Sequence, residues 1–104
     1  MTWYERIVKA HVAVANQVSH LKHPSGDRYF VWAEDGANDL LAGDRHAEKA
    51  MTGRTDLYTK QEFDPWADAI GESFSNHGIS WQLVSVDYEE ESGFIHYSWD
   101  GEGC

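Results

Sequence analysis

From Thr2 to about Leu21, apolar side chains recur at Tyr4, Val8, His11, Val12, Ala15 and Val18, the three-and-four spacing of one helical stripe, with Trp3, Ile7, Val14 and Leu21 beside it. Thr2 followed by Glu5 has the form of a capping box, in which each side chain satisfies a backbone N–H that the first turn leaves free. Pro24 and Gly26 then predict that this helix stops before the His23-Pro24-Ser25-Gly26-Asp27 stretch. Arg28 to Ala33 is too short and too aromatic for a helix and predicts a strand ended by Asp35-Gly36. Ala37 to Arg45 holds Asp, Asn and Gly around Leu40-Leu41, which predicts a loop or a short twisted strand.

From His46 to Thr59 the chain alternates, with Met51, Gly53, Thr55, Leu57 and Thr59 set against Ala50, Thr52, Arg54, Asp56 and Tyr58. That is a long strand in which Gly53 marks a bulge or a close approach. Asp64-Pro65 opens a second helix, because Asp accepts from orphan amides and Pro suits the first helical position. Trp66, Ile70 and Phe74 form its buried stripe, Asp64, Asp68 and Glu72 a parallel acidic one, and Gly78 its C-terminal cap.

The closing segment reads as a hairpin turning through Glu90-Glu91-Ser92-Gly93. Strict alternation puts Val84, Val86 and Tyr88 on one face of its first strand and Ile95, Tyr97 and Trp99 on one face of its second. Trp81, Leu83, Phe94 and His96 then share the opposite face, which is apolar enough to suggest a contact with another subunit. The elements run α-β-β-α-β-β, an α+β fold of a mainly antiparallel sheet with helices packed on one face. The 104 residues form a single domain, with the 35–45 loop and a flexible 101–104 tail outside its regular elements.

Charge changes this picture by its position. Residues 1–60 carry eight Lys and Arg against eight acids, whereas residues 61–104 carry ten acids and no Lys or Arg, so the net −10 lies wholly in the last part. Affinity for a nucleic-acid backbone needs Lys and Arg to displace counterions, so sequence-specific nucleic acid and anionic membrane surfaces are excluded as partners. An aromatic content of 13% separates the chain from a disordered acidic tail. Its single cysteine, Cys104, supplies neither an internal disulfide nor a metal cluster and suits a reducing cytoplasm. No apolar run or leader-like start predicts a membrane span or export.

Candidate chemistry is thin. His20 and His23 straddle a helix end and a Pro without further ligands, and His96 reads as a buried, hydrogen-bonded histidine, so no metal is expected. The serines lack a nucleophile-elbow motif, and no Gly-rich phosphate loop is present, so neither catalytic residues nor a cofactor is expected. The acidic residues Asp64, Asp68 and Glu72, together with Asp87, Glu89, Glu90 and Glu91, form a candidate anionic surface. That surface admits a second function, imitation of a nucleic-acid backbone by a small inhibitor of a basic host protein.

Several strings resemble one family. Leu57-Tyr58-Thr59, the Phe63-Asp64-Pro65 helix start, Gly78 and Trp81 before the next strand, and Tyr88, Gly93, His96-Tyr97 and Trp99 in the hairpin are similar to the second half of phage and prophage tail-terminator proteins. These are also described as tail-completion, minor tail or head-tail joining proteins. The resemblance covers about the last 55 residues, and it implies a non-enzymatic virion protein assembled in the bacterial host cytoplasm. It further implies a self-associated ring, commonly a hexamer, that caps the tail tube and meets the head connector, with an anionic lining that does not retain DNA. The subunit or tube contact would then be Trp81, Leu83, Phe94 and His96.

Overall fold

The computed structural model describes residues 2–38 and 50–103. Helix α1 spans Trp3–Val12, and the Thr2 hydroxyl caps it by accepting from the Glu5 amide. Its buried residues are Trp3, Ile7, Ala10 and His11, so the core stripe lies one residue away from the Tyr4-Val8-Val12 row, which faces outward. The helix also ends nine residues earlier than its periodicity predicts. Beyond Val12, the β-branched Val14 and Val18 with Asn16 have weak helix propensity. Strand β1 (Val18–His20) takes over instead, pairing parallel with β2 so that Val18 lies opposite Phe30.

Strand β2 (Arg28–Asn38) passes the expected Asp35-Gly36 stop by absorbing a register shift between Glu34 and Gly36. Strand β3 covers Ala50–Thr59. The remainder of the predicted 37–45 loop and the start of the predicted strand at 46–49 lie outside the described residues. Gly53 is a close approach, since a Cβ there would stand 2.9 Å from both the Ala33 carbonyl oxygen and the Trp3 ring.

Helix α2 (Pro65–Asn76) begins and ends as predicted: Asp64 accepts from the Trp66 amide, and Gly78 adopts φ 72° while the Ile79 amide reaches back to the Phe74 carbonyl. The hairpin follows as β4 (Ser80–Glu89) and β5 (Phe94–Gly103). Gly101 to Gly103, expected as tail, complete β5 and pair with β3.

The sheet order is β1-β2-β3-β5-β4, so β5 inserts between β3 and β4, and every pairing except β1 with β2 is antiparallel. Both helices cover one face. Phe30, Trp32, Leu57 and Trp99 from the sheet meet Ile7, His11, Ile70 and Phe74 from the helices in a continuous core. The result is the α+β sandwich expected from the sequence, with β1 as an added short strand. Among the described residues no helix is long and apolar enough to cross a membrane.

Candidate functional site

The register divides the four residues predicted to share an outer face. On β5, alternation holds: Ile95, Tyr97 and Trp99 point to the helix side, and Phe94 and His96 to the open side. On β4 it fails at one residue, because Leu83 pairs with Trp99 and Ser85 with Ser98, leaving Val84 as an extra residue in the strand. That bulge inverts the parity of the strand. Trp81 and Leu83 before it and Val86 and Tyr88 after it all stand on the helix side, opposite Gly101, Trp99, Tyr97 and Ile95. A face shared by Trp81, Leu83, Phe94 and His96 therefore does not form.

The open face carries Tyr29, Tyr58, Phe94 and His96 in mutual ring contact, with Tyr58 stacked on His96 at 4.2 Å between centroids. Burial, reinforced by the charges of Asp56 and Glu89, pushes the Tyr58 phenol up to about 12, so it stays neutral and packs as an aromatic.

Beside these rings a Ser, a His and an Asp meet, which serine spacing alone does not foretell. Ser98 Oγ donates to Asp56 Oδ1 and accepts from Arg54 Nη2 at 2.9 Å. His96 Nε2 lies 2.9 Å from that same Asp56 oxygen and 3.3 Å from Ser98 Oγ. A hydrolytic triad needs the histidine to hold the serine through one ring nitrogen and the aspartate through the other. Here a single nitrogen addresses both, and Ser98 is 1% exposed. The cluster is a cross-strand polar knot, and its sequence signal was the alternation of His96 and Ser98 opposite Tyr58 and Asp56. His20 and His23 are likewise held apart in role: His20 stacks on Trp32 and bonds Glu34, whereas His23 packs on Tyr58.

The acidic surface is also redistributed. Asp64 is buried, where it caps α2, accepts from Arg28 and accepts from the Thr59 hydroxyl at 2.7 Å, so it leaves the surface stripe. Burial raises the Asp64 pKa, but these hydrogen bonds outweigh it and hold the carboxyl below its usual range. Asp68 and Glu72 remain exposed on α2, and Asp87, Glu89, Glu90 and Glu91 crowd the exposed end of the hairpin.

What stands out chemically is the β4 edge. Among the described residues β4 is paired on one side only, as the last strand of the sheet, and an edge strand of this length is a template for another chain. Leu83, Val84, Val86 and Tyr88 on it are each at least two-fifths exposed. Next to them Phe63 is 88% exposed and sits at φ 55°, a left-handed conformation that a bulky side chain rarely adopts. Phe63, Val86, Tyr88, Ile95 and Tyr97 line an open groove of about 580 Å³, with Glu62 and Asp87 also on its wall. Trp81 closes the other end of the row by lying over Gly71 of α2 and donating to Ser75 at 2.9 Å. The sequence held the residues of this patch. The bulge that gathers them on one side had no signal in it.

No protein-family profile matches the chain, and no curated protein does. Among solved structures, the fold is similar to that of a chain in the virion of a native gene transfer agent (GTA) particle, with a TM-score of 0.55. The alignment covers 95% of this chain and 87% of that one at 11% identity, so what the two share is the fold.

Proposed function

We propose that this chain is a structural protein of a phage-like virion, of the tail-terminator type, which self-associates through the β4 edge and the apolar patch around Phe63. The observation that carries this reading is the β4 edge, unpaired among the described residues and flanked by exposed Leu83, Val86, Tyr88 and Phe63. Singly exposed apolar residues are ordinary, but a contiguous row on an open strand edge marks an association surface. Near-complete alignment with a virion chain supports the setting, as does the resemblance of the Phe63-Asp64-Pro65 and hairpin strings to tail-terminator proteins. In this reading the partners are further copies of the chain, arranged as a ring, together with tail-tube and head-connector proteins, and the acidic hairpin tip faces DNA in transit or a basic neighbour.

Solution mass tests it. Light scattering with size exclusion at high micromolar concentration is expected to show a defined oligomer that Val86→Asp dissociates. A strict monomer that also forms no ring with tail-tube protein would overturn the reading. A monomer that instead binds a basic host protein in a salt-sensitive complex would favour the acidic inhibitor.

A further inference from the structure

Resting on that self-association reading, we infer that the β4 contact is two-fold: β4 of one copy pairs antiparallel with β4 of a second, in the register that overlaps the whole strand and centres on Ser85. Because of the bulge, β4 offers nine ladder positions, Ser80 to Leu83 and Ser85 to Glu89, with Val84 left over. An odd number of positions laid antiparallel on itself sets each residue opposite one of the same face. Donors then also meet acceptors, because face and hydrogen-bonding direction alternate together along a strand.

The pairs made in this register are complementary. On the helix side Trp81 meets Tyr88 and Leu83 meets Val86, which joins the two exposed apolar rows. On the open side Gln82 meets Asp87, Ser80 meets Glu89, and Ser85 meets its own copy on the axis. Every acid of β4 thus faces a neutral polar group. Moving the axis one position either way shortens the overlap and breaks the Trp81 and Tyr88 pair. Moving it two positions toward the hairpin tip sets Asp87 against Asp87, and like charges directly opposite are destabilising.

The other acids of the hairpin stand further off. Asp100 and Glu102 of β5 flank Gln82 and Ser80, which puts them two strand spacings, about 9.6 Å, from Asp87 and Glu89 of the second copy. Glu62 lies at the Tyr88 end of the groove, and the tip acids Glu90 and Glu91 extend past Ser80 of the second copy, with no Lys or Arg on β4 or β5. Repulsion over about one Debye length is screened by salt, so the pair tightens as ionic strength rises. A two-fold pair uses up both β4 edges, so a ring is built from such pairs through a second contact.

Disulfide trapping tests the register. In a Cys104→Ser background, Ser85→Cys is expected to convert most of the protein to covalent dimers in a glutathione redox buffer, because residues on the axis fall within the ~4.4–6.8 Å between Cα atoms that a disulfide needs. Gln82→Cys alone should stay unjoined and should crosslink when mixed with Asp87→Cys. Without any new cysteine, Gln82→Glu should weaken dimerisation ~2- to 30-fold in sedimentation velocity, since it sets an acid against Asp87 twice in each pair, and Gln82→Lys should strengthen it. If wild type associates but Ser85→Cys joins no better than Gln82→Cys, or if Gln82→Glu leaves dimerisation unchanged, the two-fold register is wrong while self-association stands. A monomeric wild type would remove both.

Discussion

Arg28 and Asp64 join the first residue of β2 to the start of α2 through a two-pronged ion pair, with Nε 2.8 Å from Oδ2 and Nη2 against Oδ1. The same carboxylate also caps α2 and accepts from Thr59, so one buried group fixes three elements. Arg28 in turn lies 3.7 Å from the ring centroid of Trp66, adding a cation–π contact at the helix start.

Replacing Asp64 by Ala should therefore cost ~3 kcal/mol or more, since it leaves a partly buried guanidinium and an uncapped helix behind. Because the folded pKa of Asp64 lies below its unfolded value, its contribution is present above the unfolded value of ~3.9 and is lost as pH falls through the folded one. Urea melts of wild type and Asp64→Ala check this: the gap between them should narrow only in strong acid.

His11 titrates in a different window. It is fully buried, its Nδ1–H donates to the Ile7 carbonyl at 2.7 Å, and Nε2 lies 3.0 Å from the Thr55 hydroxyl, which fits the neutral ring. Desolvation lowers its pKa to about 4. The unfolded chain thus binds the proton more tightly, and stability should fall by about 3 kcal/mol as pH drops from ~6.5 to 4. Thermal melts across that range should show this loss in wild type and a flatter profile in His11→Gln.

Gly53→Ala should destabilise by about 1–3 kcal/mol, because the new methyl meets a backbone carbonyl and the Trp3 ring, neither of which can withdraw freely. Denaturant midpoints measure it. A neutral outcome would mean that Trp3 does not hold this position in solution.

Trp99, 2% exposed between Leu83 and Thr55, should cost ~3–5 kcal/mol when cut to Ala. Val86→Asp should leave the melting temperature nearly unchanged and act on oligomer mass alone. Phe94→Ala, on the open face against Tyr29 and Tyr58, should loosen that aromatic group without changing the mass. If Phe94→Ala dissociates the oligomer and Val86→Asp does not, the association surface is the open face and not the β4 edge.

Ser98 should resist serine-directed fluorophosphonates, since its hydroxyl is buried and its proton is directed to Asp56. Labelling at Ser98, detected by mass spectrometry, would overturn the reading of that cluster as structural.

Local signals carried much of the fold. The Asp64-Pro65 start and Gly78 end of α2 are readable because capping is chemistry between neighbours in sequence, and the alternation of Ile95, Tyr97 and Trp99 is readable because β5 itself carries no extra residue, the bulge in its pairing with β4 lying on β4. The end of α1 was not readable, because the apolar Val14, Ala15 and Val18 fit a helical period equally well. Only the parallel pairing of Val18 with Phe30 shows that a strand serves them better.

The sequence by itself determined the element types, the burial of the Trp66-Ile70-Phe74 and Tyr97-Trp99 stripes, and the concentration of charge after Lys60, because these follow from residue chemistry and short-range period. Tertiary structure alone decided which surface is available. The extra residue at Val84 moves Leu83 and Val86 to the same side, and the insertion of β5 beside β3 leaves β4 at the edge. Burial turned Asp64 from a surface acid into the anchor of a helix. Each of these outcomes depends on pairing between distant segments, where a single unpaired residue inverts every side chain that follows it.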